Sequence, residues 1–138
     1  ESRMPISQTA LSAIAVSALA LALLPGAAAA DSHGNEFVHS RAFKGQTYVM
    51  YRDHMALYIY DRDRPGVSNC RDECTTTWAP ALLDPGTELG ENYSLIERAD
   101  GTMQAAFREM PLYLYAGDKK PGDVNGDGID GAWRLARP

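Results

Sequence analysis

Two stretches of this chain carry nearly the same text. Residues 55–66 read Met-Ala-Leu-Tyr-Ile-Tyr-Asp-Arg-Asp-Arg-Pro-Gly, and residues 110–122 read Met-Pro-Leu-Tyr-Leu-Tyr-Ala-Gly-Asp-Lys-Lys-Pro-Gly. Met55 and Met110, Leu57 and Leu112, Tyr58 and Tyr113, Tyr60 and Tyr115, and Asp63 and Asp118 are each 55 positions apart. Trp78 and Trp133 keep that offset, because an extra residue before the second Pro-Gly is balanced by one fewer after it. An internal duplication on this scale restricts the fold severely. A unit of this size cannot bury its own apolar face, so each copy must cover the other.

The texture around the copies predicts an all-β chain. Short runs rich in Tyr, Val, Ile and Phe are cut by Gly, Pro, Asp and Asn at the spacing of strands and turns. No window carries a 3.6-residue apolar stripe long enough for a substantial helix. In the first unit, about residues 37–83, strands are expected over Gln46–Tyr51, Met55–Tyr60 and Trp78–Leu83. A turn at Asp53-His54 separates the first two, and Asp63-Arg64-Pro65-Gly66 closes the second with Pro presetting φ and Gly accepting a positive one. Residues 84–92, with Pro85-Gly86 and Gly90, link this unit to the second, at about 93–136. There Tyr93–Arg98 and Met103–Phe107 flank the hairpin signal Asp100-Gly101, followed by strands at Leu112–Tyr115 and Ala132–Ala136. In each motif strand the leucine-type residues face one way and the tyrosines the other. Strands apolar on both faces belong in the middle of a sheet. The expected architecture is a pseudo-twofold sandwich or small barrel.

The start of the chain has a different character. Arg3 precedes an apolar run from Ala10 to Leu24, Pro25-Gly26 breaks it, and Ala27 to Ala30 supply small residues before Asp31. That order describes a secretory signal peptide over residues 1–30. The run is shorter than the roughly 20 apolar residues of a membrane span. The mature chain is therefore expected at residues 31–138, as one β domain with no membrane anchor, periplasmic or secreted, behind a polar lead-in at Asp31–Glu36. In an oxidising compartment Cys70 and Cys74, the two cysteines present, are expected to form a disulfide that pins the loop over Val67–Thr77. The net charge of −5, with no block of Lys or Arg, argues against nucleic acid and anionic membrane as partners.

At the duplicated stretch the chain resembles a family of bacterial secreted repeat proteins and lipoproteins with the signature Tyr-x-(Phe/Trp/Tyr)-x-x-Asp. Tyr58, Tyr60 and Asp63 match it in the first unit, and Tyr113, Tyr115 and Asp118 in the second. Ser68-Asn69-Cys70, Cys74 and Trp78-Ala79-Pro80 fit the pattern that follows, as do Pro121-Gly122-Asp123 through Gly131-Ala132-Trp133. The resemblance spans roughly residues 45–136 and implies export without attaching an activity. Lipoprotein members carry an acylated Cys at the cleavage site, and there is none here between Leu24 and Asp31.

Several residues could carry chemistry. The Tyr/Tyr/Asp sets could be a ligand platform for a sugar, cation or peptide. Alternatively, the rings fill the core and Asp63 and Asp118 accept hydrogen bonds from the turns, and the shared turn chemistry after each copy favours this second reading. Asp123, Asn125 and Asp127, with Gly128 and Asp130 following, resemble the opening of a calcium loop, but Arg134 stands where a bidentate acid belongs. Cys70 and Cys74 have a spacing used by some copper carriers, which need reduced thiols and further ligands. If cleavage follows Ala30, Asp31-Ser32-His33 would offer a free amine, two amides and an imidazole to Cu(II) or Ni(II). No Gly-x-Ser-x-Gly, His-Glu-x-x-His or phosphate-loop motif occurs. The expectation is an exported, non-catalytic binding or interaction module without a required cofactor, its partner an envelope protein or a small ligand. Metal binding, by calcium or copper, is the rival.

Overall fold

The computed structural model describes Ser2 and residues 35–138. Apart from Ser2, the signal peptide expected over residues 1–30 lies outside the described residues, as do the start of the mature chain and His33. Among the described residues ten short strands and two single helical turns follow one another: β1 (Val38–Phe43), β2 (Gln46–Tyr51), β3 (Leu57–Tyr60), α1 (Cys74–Thr77), β4 (Trp78–Pro80), β5 (Leu82–Leu83), β6 (Tyr93–Glu97), β7 (Met103–Phe107), β8 (Met110–Pro111), β9 (Tyr113–Tyr115), a 3-10 turn at Ile129–Gly131, and β10 (Trp133–Leu135).

The motif strands meet at the centre. β3 and β9 pair antiparallel with Tyr58 opposite Tyr113, so the two copies of one residue face each other across a local two-fold. β10 pairs with β3, placing Trp133 opposite Tyr60, and β4 pairs with β9, placing Trp78 opposite Tyr115. The sheet order is therefore β10-β3-β9-β4, with both motif strands inside, as their two apolar faces predict. Each unit contributes its closing strand to the other unit's motif strand.

Two flanking assemblies repeat this relationship. β1 and β2 form a hairpin whose turn residues, Lys44 and Gly45, both have positive φ (48° and 80°), the twist that a tight hairpin needs. β6 and β7 form the matching hairpin, closed at Asp100-Gly101, with β5 and β8 also pairing to β7. The amide of Val49 reaches Ala136 O at 2.8 Å, and the amide of Ala105 reaches Ala81 O at 2.8 Å. Ala81 and Ala136 are again 55 positions apart.

The core has two layers, one on each face of the central sheet. Leu57, Ile59 and Leu112 pack with Val38, Val49, Ala81, Leu83, Tyr93, Ala105 and Phe107 from the flanking strands. On the opposite face Tyr58, Tyr113, Trp78 and Trp133 gather with Tyr48, Met50 and Cys70, under the loops that follow β3 and β9.

The sandwich expectation holds, whereas the sheets close into no barrel. The strand expected over Trp78–Leu83 divides after Pro80 between two sheets, because proline cannot continue the ladder. β1 lies ahead of the first strand expected at Gln46, because its His, Ser and Arg hide the alternation. Met55 and Ala56 precede β3, with Ala56 forming only an isolated bridge to Met50.

Candidate functional site

The signature residues form a crossed network. The Tyr58 hydroxyl donates to Asp118 Oδ2 at 2.6 Å, and the Tyr113 hydroxyl donates to Asp63 Oδ2 at 2.7 Å. Each tyrosine thus satisfies the aspartate of the other copy. The second carboxylate oxygen of each aspartate holds its own loop: Asn69 N donates to Asp63 Oδ1 at 2.6 Å, and Asn125 N to Asp118 Oδ1 at 2.9 Å. Both tyrosines are 0% exposed and both aspartates 7%. Burial pushes the Asp63 carboxyl above the usual carboxylate range, against the hydrogen bonds from Tyr113 and Asn69 and the charge of Arg98. Burial also holds the Tyr58 phenol far above its ordinary value, and the Asp118 carboxylate adds to this. Tyr113 is raised mainly by burial, with Asp63 adding to it and its Ser68 hydrogen bond opposing.

Above this network four rings stack in the order Tyr60, Trp133, Trp78, Tyr115. The centroid separations are 4.3, 3.8 and 4.6 Å, with the two indoles only 2° from parallel. Tyr58 meets Trp78 edge-on, and Tyr113 meets Trp133 in the same way. With the Tyr58 and Tyr113 rings enclosed, only the outer tyrosines of the stack, Tyr60 and Tyr115, reach the surface in part.

The loops over this layer have diverged. In the first, Cys70 and Cys74 are joined by a disulfide, so their sulfurs are no longer free thiolate ligands. Gly126 takes the place of Cys70 in the second, and a β-carbon there would stand 2.8 Å from Trp78 and 2.9 Å from Tyr58. The residues that secure the loops differ as well, although Phe43 and Arg98 share the 55-residue offset. Arg98 donates to Ser68 Oγ at 2.8 Å, Gln104 Oε1 at 2.7 Å and Cys70 O at 2.9 Å. Phe43 instead lays its ring against Gly122, where a β-carbon would come within 2.5 Å.

Each hairpin and the loop beside it leave a cleft, and the two clefts are chemically unlike. One, of about 200 Å³, is lined by Arg41, Phe43, Met50, His54, Pro121 and Gly122. The other, of about 310 Å³, is lined by polar residues including Ser68, Arg71, Asp72, Thr75, Arg98 and Asp100.

The residues of the calcium-like loop do not converge. Asp123 Oδ2 accepts from Lys119 N and Lys120 N, while Asp127 Oδ1 accepts from Leu135 N and its Oδ2 from Arg137. Asn125 uses its amide on Asp118, and Asp130 lies in the 3-10 turn with φ 55°. Among the described residues no three His, Cys, Asp or Glu side chains come together. The clefts and the crossed pairing were not read from the sequence. The shared offset of Phe43 and Arg98 was the available signal, but their unlike chemistry concealed it.

Residues 94–137 match the model of a family described as a secreted repeat of unknown function, Lipoprotein_15. The matched stretch covers the second unit and supports an exported chain. No curated protein and no solved structure matches the chain.

Proposed function

We propose that this chain acts outside the cytoplasm as a non-catalytic binding module, a rigid doubled frame that presents two unlike clefts to an envelope partner or small ligand. The observation that carries this reading is a division of labour. Polar atoms of the signature are spent on one another inside the frame, with Tyr58 on Asp118 and Tyr113 on Asp63. Divergence falls on the loops and hairpin tips instead, where one cleft presents Phe43, Met50 and His54 and the other Arg71, Asp72 and Arg98. Loops positioned by a rigid scaffold are where recognition chemistry is usually placed.

The test is capture from envelope extract by the purified exported chain, in parallel with Phe43→Ala and Arg71→Ala variants, which alter one cleft each. A binding module predicts a captured component that one of the two variants loses at least tenfold. Equal capture by all three proteins, or turnover of a defined substrate that depends on a residue of either cleft, would refute the proposal.

A further inference from the structure

The β1–β2 hairpin carries a feature that the matching hairpin of the second unit lacks. Cross-strand pairing sets His39 opposite Met50 and Arg41 opposite Tyr48, so these residues share one face of the hairpin. The chain then turns at His54, whose φ is 66° and whose amide donates to Tyr51 O at 2.7 Å. That turn brings the second imidazole back over the first. His54 Nδ1 lies 3.3 Å from His39 Nε2, with the rings 5.2 Å apart and 76° from parallel.

The frame itself does not need this pair. At the positions 55 residues on from His39 and His54 the second unit has Ser94 and Glu109, the latter with the same left-handed backbone (φ 70°), so neither imidazole is repeated. Both hairpins nevertheless pair antiparallel.

We propose that His39 and His54 form a metal site for copper(I), with the Met50 thioether as the third ligand. Two nitrogens each about 2.0–2.1 Å from a tetrahedral metal lie roughly 3.3 Å apart, so the imidazoles already stand at the required bite. Met50 is the cross-strand partner of His39 and lines the same cleft as His54, so its side chain is the nearest sulfur donor that the hairpin face offers to the pair. Imidazole with thioether, and no carboxylate lining that cleft, is a donor set for a soft cation and a poor one for calcium. His54 is exposed at its turn, giving the ion a way in. The site lies in one of the two clefts of the binding-module reading but does not rest on that reading, which its failure would leave standing.

The experiment is a competitive titration of the full exported chain with Cu(I) against a chromophoric chelator, with the disulfide intact. Expected are one ion per chain, at least a tenfold loss of affinity in both His39→Gln and His54→Gln, a smaller loss in Met50→Leu, and no change in His33→Gln. X-ray absorption of the loaded protein should show two nitrogen neighbours and one sulfur. Circular dichroism confirms that each variant is folded, and His54→Gln, at an exposed turn, keeps the test valid should His39→Gln fail to fold. The proposal is overturned by no binding to the unaltered chain, by affinity indifferent to both histidine changes, by loss through His33→Gln, or by a coordination shell without sulfur.

Discussion

The indole rings of Trp78 and Trp133 lie face to face with centroids 3.8 Å apart. Each comes from the end of one unit and stacks in turn on a tyrosine of the other unit's motif strand. The two halves are therefore joined through the rings that the duplication copied.

Removing either indole should damage both halves. Trp78→Ala or Trp133→Ala is expected to cost about 3–5 kcal/mol, the range for deleting a large buried aromatic. Urea unfolding measures that loss. Exciton coupling between the indoles in circular dichroism should vanish equally in both variants, and retention of the signal in either would disprove the stack.

The crossed tyrosine–aspartate bonds predict a pattern of coupling. Tyr113→Phe strips a donor from the buried Asp63 carboxyl and should cost about 1–3 kcal/mol, as should Tyr58→Phe at Asp118. Double-mutant cycles with Asp→Asn should give coupling energies of about 0.5–3 kcal/mol for Tyr58 with Asp118 and for Tyr113 with Asp63. Coupling stronger within a unit, between Tyr58 and Asp63, would reverse the assignment.

Gly126 has no room for a side chain. Gly126→Ala would drive a methyl into Trp78 and Tyr58, at an expected cost of about 1–3 kcal/mol. Gly101→Ala meets open space and is opposed only by its φ of 86°, so its loss, about 1 kcal/mol, should be the smaller. Thermal midpoints of the two variants decide the order.

Stability should fall in strong alkali. Tyr48, Tyr51, Tyr58, Tyr93 and Tyr113 all have phenol pKa values raised first by burial. The unfolded chain ionises its tyrosines near pH 10, before these folded groups can follow. The stabilisation is thus complete below about pH 10 and lost as pH rises towards the folded values. Ultraviolet titration should show Tyr58 and Tyr113 ionising only together with unfolding.

Asp63 gives a smaller effect of the same sign at acid pH. Its raised value means that folding favours the protonated carboxyl, so this group's contribution is fully present below about pH 3.9 and is lost as pH rises through its folded pKa. The stability of Asp63→Asn relative to the unaltered chain should therefore rise across that window and then level off, as followed by thermal melts at stepped pH.

The duplication, the central place of both motif strands, the close cysteine pair and the all-β character were legible in the sequence, because each follows from local alternation, spacing or turn chemistry. Only the tertiary structure decided that Tyr58 bonds to Asp118 and not to its own Asp63, that β4 and β10 exchange units, and that His39 comes to face His54. Offsets in a repeat say which residues correspond, and two partners five residues apart look nearer than two sixty apart. A local two-fold reverses that order: it turns the Tyr58 hydroxyl towards the far copy's carboxylate, and no periodicity along a single chain records such a crossing.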